Sequence, residues 1–144
     1  MGQVNMNVPE RALEAKDLRR SRMEILRRRL ELLNGADKVL MTMYVEKGSS
    51  FRQIARLRGV SEASVARRVH QLTERLIDGE FLTCVRNRDR LTGRQMALAR
   101  DAFLTGLSLR QIAEKRRVSI YAVRKELADI RKHTKETKLA LSLR

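Results

Sequence analysis

The sequence predicts an all-α protein: two three-helix units in tandem, preceded by one long helix. Three observations carry that expectation. The stretch SSFRQIARLRGVSEASVARRV at 49–69 is nearly rewritten as LSLRQIAEKRRVSIYAVRKEL at 107–127. Apolar residues recur three and four apart, the period of one helix face, rather than alternating as in a strand. Serines or threonines that start helices, and glycines that stop them, fall at matching places in both halves.

The first 35 residues include PERALEAKDLRRSRMEILRRRLELLNG, read as a long charged helix with Leu18, Ile25, Leu26, Leu30 and Leu33 along its apolar side. Arg22 and Arg29 interrupt that side, and Asn34 and Gly35 end the helix. Such a segment either packs on the next unit or serves dimerisation. The first unit, 36–77, opens with a helix over 36–47 whose apolar face is Val39, Leu40, Met43 and Tyr44, with Gly48 as its left-handed stop. Ser50 caps a short helix over 51–58, in which Phe51, Ile54, Ala55 and Arg58 share one stripe. Gly59 allows a tight turn, Ser61 offers an oxygen to exposed amides, and Glu62 suits the positive end of the third helix. That helix, 61 to 77, buries Val65, Val69, Leu72 and Leu76.

Residues 78–91 form a connector, with its apolar half buried and Arg86, Arg88 and Arg90 in water. The second unit, 92–133, repeats the plan. Thr92 caps a helix containing Met96, Leu98, Ala99 and Phe103, Gly106 ends it, and Ser108 and Ser119 start the two helices that follow. The last of these buries Val123, Leu127 and Ile130. The tail, 134–144, is expected to fray, although Leu139, Leu141 and Leu143 could dock.

Sliding the first unit by 58 positions pairs Arg52, Gln53, Ile54, Ala55, Arg58, Val60, Ser61 and Val65 with identical residues, eight in the 22 positions from 51 to 72. One departure matters. Arg117 stands where the first unit has Gly59, so a left-handed turn there carries about 1 kcal/mol of strain.

Thirty-two Lys and Arg against 17 Asp and Glu give a formal charge of +15, which attracts polyanions, nucleic acid first. A membrane is the rival polyanion, but no stretch is apolar for the length needed to cross one, and the basic residues are not gathered beside an anchor. The N-terminus has no apolar core of the signal-peptide type, which suits an intracellular protein. Cys84, the one cysteine, sits in FLTCV and reads as a small buried hydrophobe. With two histidines, His70 and His133, there is no metal-site spacing. No phosphate loop, activated nucleophile or paired apolar carboxylates occur, so neither an enzyme nor a bound cofactor is expected.

Two short-turn-linked helices, the second long and polar outside, form the helix-turn-helix plan, whose second helix enters a major groove. Ala55 and Ala113 stand where the helices cross most closely, and Val65 and Val123 anchor the reading helix from below. On the first reading helix Ser61, Glu62, Ala63, Ser64, Ala66, Arg67 and His70 avoid the apolar stripe. We expect Ser61, Glu62, Ser64 and Arg67 to reach bases, Arg67 foremost because arginine bonds bidentately to guanine. On the second, Ser119, Tyr121, Arg124 and Lys125 take that role with Arg124 foremost, and Tyr121 or Ile120 can touch a thymine methyl. Arg52, Arg56, Arg58, Arg68, Arg110, Lys115 and Arg116 are assigned to phosphates, which fix register without reading sequence. Glu126 and Asp129 would repel phosphate and must lie away from the backbone.

LTGRQMALARDAFLTGLSLRQIAEKRRVSIYAVRKEL resembles the promoter-binding fourth region of bacterial sigma-70 family factors, and ADKVLMTMYVEKGSSFRQIARLRGVSEASVARRVHQLTERL resembles that region in the small extracytoplasmic-function members. The resemblance covers residues 36–77 and 91–133 and implies duplex DNA binding by a cytoplasmic, nucleoid-associated protein. Arg58 and Arg116 stand where the family usually has an apolar residue, which suggests a different helix crossing or an extra phosphate contact. No region that melts promoters and grips polymerase core is evident, so a complete sigma factor is not expected.

The function expected is a sequence-specific transcription regulator in which one chain, as monomer or homodimer, addresses a bipartite DNA site. Two rival readings are a sigma-like adaptor that contacts RNA polymerase and a non-specific architectural DNA protein.

Overall fold

The computed structural model describes the backbone over residues 2–142 and the side chains over 11–135. All regular structure among the described residues is helical. The chain divides into two units, residues 1–69 and 70–144, and the division falls inside one helix.

In the first unit, α1 (Gly2–Arg29) runs into a 3-10 turn (Leu30–Leu32), and α2 (Gly35–Val45), α3 (Phe51–Arg58) and the start of α4 (Glu62–Asp78) follow. Leu26, Leu30 and Leu33 are buried as the apolar spacing requires. Leu18, expected on the same side, is 66 % exposed, as is every described residue from 11 to 22. The expected stripe is therefore buried only in its last two turns. The helix also gives way to 3-10 geometry before Asn34, because the carbonyl of Leu30 accepts the Leu33 amide.

The α2 face needs correction. Apolar residues at 39, 40, 41, 43, 44 and 45 offer two overlapping stripes, and the core takes Leu40, Met41 and Val45, leaving Val39 57 % exposed. Tyr44 is half-buried and stacks on Phe51 with ring centroids 5.5 Å apart, which fastens α2 to the first residue of α3. Gly48 takes φ +63°, and the Ser49 amide returns to the Met43 carbonyl to close the helix end.

The second unit begins within α4 and continues as α5 (Glu80–Arg86), a 3-10 turn (Arg88–Arg90), α6 (Gly93–Ala99), α7 (Leu109–Arg116) and α8 (Ile120–Ser142). The segment read as a connector folds as α5 and contributes Phe81, Leu82 and Cys84 to the core, with Leu91 closing it. Its arginines 86, 88 and 90 are exposed. The Phe81 ring also carries the Arg100 guanidinium 5.6 Å from its centroid. The side chains of Leu139, Leu141 and Leu143 lie outside the described residues.

The helix that Thr92 starts does not stay regular. After Ala99 it widens into a π turn (Arg100–Thr105), and the amides of Gly106 and Leu107 both return to the Asp101 carbonyl. Arg75 of α4 donates from Nη1 to the carbonyls of Leu104 and Thr105, at 3.1 and 3.2 Å, satisfying acceptors the helix end leaves open. Gly106 suits its φ of +80°, and a Cβ there would displace the Arg75 guanidinium, 2.6 Å away.

Cys84 is 1 % exposed. Burial first, and the Glu80 charge second, push its thiol up from 9.0 to about 11, while Arg131 pulls the other way. Burial thus favours the neutral thiol, so its stabilising contribution is complete below pH 9 and fades as pH rises through 11. Two results follow: alkylation of the native protein by iodoacetamide stays slow at pH 8–9 and accelerates towards pH 11, and Cys84→Ser lessens the stability loss over that window. Urea midpoints between pH 8 and 11 check the second.

Candidate nucleic-acid interface

Each helix pair is set by a reciprocal cap. Ser50 Oγ accepts the Gln53 amide at 3.1 Å and Gln53 Oε1 accepts the Ser50 amide at 2.9 Å; Ser108 and Gln111 repeat this at 3.1 and 2.8 Å. Thr92 and Gln95 form a third such box at the start of α6. The serine-x-x-glutamine spacing that signals these boxes stands in the sequence, although the glutamine half of the signal went unread.

In the first unit Ile54 and Ala55 are buried on α3, while Val65 and Val69 are buried on α4. Gly59 adopts φ +67° between the two helices, and its amide and that of Val60 both return to the Ala55 carbonyl. Ser61 Oγ accepts the Ser64 amide at 3.1 Å and bonds the Ser64 hydroxyl at 2.8 Å. Both serines are therefore partly engaged with each other. Ser61, Glu62, Ser64 and Arg67 are exposed, as are Ala63 and His70, and Ala66 is half-buried.

The second unit builds the same outline with different residues. Ile112 and Ala113 are buried on α7, and Val123, Leu127 and Ile130 on α8. Arg117 takes the left-handed turn at φ +56°, alone among the described non-glycine residues, and the Val118 amide bonds the Ala113 carbonyl. Ser119 Oγ accepts the Ala122 amide at 3.0 Å. On α8, Ser119's neighbours Ile120 and Tyr121 are exposed by 42 % and 75 %, with Arg124 and Lys125 exposed beyond them. Tyr121 therefore does not pack against the turn. Glu126 lies 4.0 Å from Arg94 and Asp129 is exposed.

The arginines assigned to phosphates divide sharply. Arg52 and Arg56 are exposed on α3. Arg58 donates from Nη1 to the Ala36 carbonyl at 3.2 Å, so it holds the start of α2. Arg68 grips Asp37 with two hydrogen bonds, Nε to Oδ1 at 3.0 Å and Nη2 to Oδ2 at 2.7 Å, tying α4 to the first turn of α2. On α7, Arg110 is exposed beside Glu114 at 3.7 Å. Lys115 and Arg116 converge on the buried Asp101 carboxylate, at 3.0 and 3.2 Å. The buried Nε of Arg116 has no hydrogen-bond partner. Arg68, Lys115 and Arg116 thus pair with the half-buried Asp37 and the buried Asp101, contacts that nothing local in the sequence marks.

Among the described residues no three His, Cys, Asp or Glu side chains converge as metal ligands, and no helix is long and apolar enough to cross a membrane.

Asp101 is the costlier member of its cluster to lose. Its side chain is 9 % exposed, so Asp101→Ala leaves Arg116 half-buried and uncompensated and destabilises by about 3 kcal/mol. The Lys115 side chain is 58 % exposed, and Lys115→Ala costs less than about 1 kcal/mol. Urea unfolding of the two variants measures the difference, and equal midpoints would contradict it.

No curated protein and no solved structure matches the chain. A family model does: residues 23–76, running from within α1 through the first helix pair, match Sigma-70, region 4, and that part of the chain is similar to this family.

Proposed function

We propose that the protein is a sequence-specific double-stranded DNA-binding regulator of transcription, without catalytic activity, that reads a bipartite site with α4 and α8. The observation that carries this reading is the face each helix leaves in water. A stripe of buried valines and leucines fixes one side, and the opposite side of the first two turns presents Glu62 and Arg67 in one case, and Tyr121, Arg124 and Lys125 in the other. The family match to residues 23–76 supports DNA binding by the first pair; the repeated caps and turn extend the reading to the second.

A net charge of +15 raises encounter rates with any duplex. Sequence choice then rests on the reading helices. Arg67 and Arg124 bond guanine in the major groove, each discriminating by about 1–3 kcal/mol. Glu62 accepts from a cytosine amine, and Ile120 and Tyr121 meet thymine methyls. Arg52, Arg56 and Arg110 hold phosphates and set register. Arg68, Lys115 and Arg116 drop out of that group because their charge is used internally. Two modest half-site affinities on one chain add through effective concentration.

A second reading, an adaptor that meets RNA polymerase, draws on the same match at residues 23–76. Polymerase capture that survives nuclease treatment distinguishes it.

Selection of duplexes from a random pool supplies the test site. On it, Arg67→Ala and Arg124→Ala each relax preference at a few base pairs, whereas Arg52→Ala weakens all sequences alike and lowers the salt slope by about 1. Replacing thymine by uracil, which removes only the methyl, weakens the α8 half-site and spares the α4 half-site. Equal loss on selected and random DNA in all three variants would refute the assignment of readers.

A further inference from the structure

We infer that Arg117 is a phosphate-binding residue of the second helix pair, held in a strained turn for that purpose; this rests on the DNA-binding reading above. The argument begins with three consecutive cations. Lys115 and Arg116 turn towards Asp101, the latter from a half-buried position. Arg117 is exposed, and its side chain makes no hydrogen bond or ion pair with any described residue. Asp101, the one buried carboxylate among the described residues, engages two of the three cations and not the third.

Its backbone makes the residue harder to explain by folding alone. The φ of +56° is the left-handed region, where a Cβ crowds the backbone and glycine or asparagine is favoured. The first pair meets the same requirement with Gly59, which has open space around it and no side chain to contribute. Strain retained at one of two otherwise matching turns points to what the side chain does there. Arg117 stands two residues before Ser119 and three before Ile120, the exposed first residue of α8. A cation at that place meets the duplex backbone as the first turn of α8 meets base edges.

The test uses the full-length chain with Arg117→Gly, Arg117→Asn and Arg117→Lys, each followed by thermal unfolding and by duplex binding across a salt series. Glycine and asparagine suit the left-handed turn, so both variants melt higher, by roughly 2–4 °C for glycine. They nevertheless bind the selected duplex roughly tenfold more weakly at low salt, with a log–log salt slope shallower by about 0.9. Arg117→Lys keeps the wild-type slope. Asparagine separates loss of charge from added backbone freedom. Higher melting with unchanged affinity and slope would overturn the inference while leaving the DNA-binding reading intact. Unchanged or lower melting of both glycine and asparagine variants would also overturn it, because the turn would hold no strain to explain. A wild-type chain that binds no duplex at low salt sinks both.

Discussion

Each helix pair depends on the seating of its short helix, which at one position buries no more than an alanine. Ala55 and Ala113 are buried on α3 and α7, beside Ile54 and Ile112, and larger side chains at those positions would push the helices apart. With the crossing fixed, Val65 and Val123 seat the long helices from below, and each outward face follows from the 100° step of the helix. The rest of each pair serves this contact. Serine–glutamine boxes start the short helices in the right direction, and a left-handed residue at 59 or 117 reverses the chain within one turn.

A chain this basic faces a second problem, that of sorting its cations. Cations on every helix would leave the protein sticky but unspecific, unless some are withdrawn from the surface. Two aspartates do the withdrawing. Asp37 takes Arg68 through a two-bond fork, and Asp101 takes Lys115 and Arg116 together. Each pair also ties two elements together: α4 to α2 in one unit, and α7 to the π turn in the other. Discrimination by a nucleic-acid interface depends on which charges are absent as much as on which are present.

Most of the helices and caps were legible because each rests on local rules of period, a capping oxygen or a left-handed glycine, whereas α5, inside the segment read as a connector, was not. Val65, Val69, Leu72, Leu76, Val123, Leu127 and Ile130 all occupy the core the period assigns them. What was illegible was non-local. On α2, six apolar residues in seven positions made the period ambiguous, and only packing could choose Met41 over Val39. Leu18, the first residue of α1's expected stripe, is exposed because a stripe needs a surface to meet, and sequence spacing does not reveal where that surface stops. The inward turn of Arg68 and Arg116 depended on carboxylates 31 and 15 residues away. Spacing along one helix predicts which way a side chain faces, but not whether a countercharge waits there.

The two pairs share a capping box and a left-handed turn and differ on the faces their long helices leave in water. Among the eight shared positions, Gln53 and Ser61 cap helices while Ile54, Ala55 and Val65 are buried, and packing tolerates changes there poorly. At the outward positions they diverge: Glu62 against Ile120, Ala63 against Tyr121 and Ala66 against Arg124. Large apolar side chains left in water at the start of a reading helix are costly to solubility and need a partner surface to justify them. A pair of units meant for identical half-sites would preserve those outward residues first. Under the DNA-binding reading, their divergence means two unlike half-sites, one read through a carboxylate and a guanidinium and the other through methyl contact and a double positive charge. An asymmetric operator gives a single chain a defined orientation on the duplex, something two identical readers would supply only by dimerising.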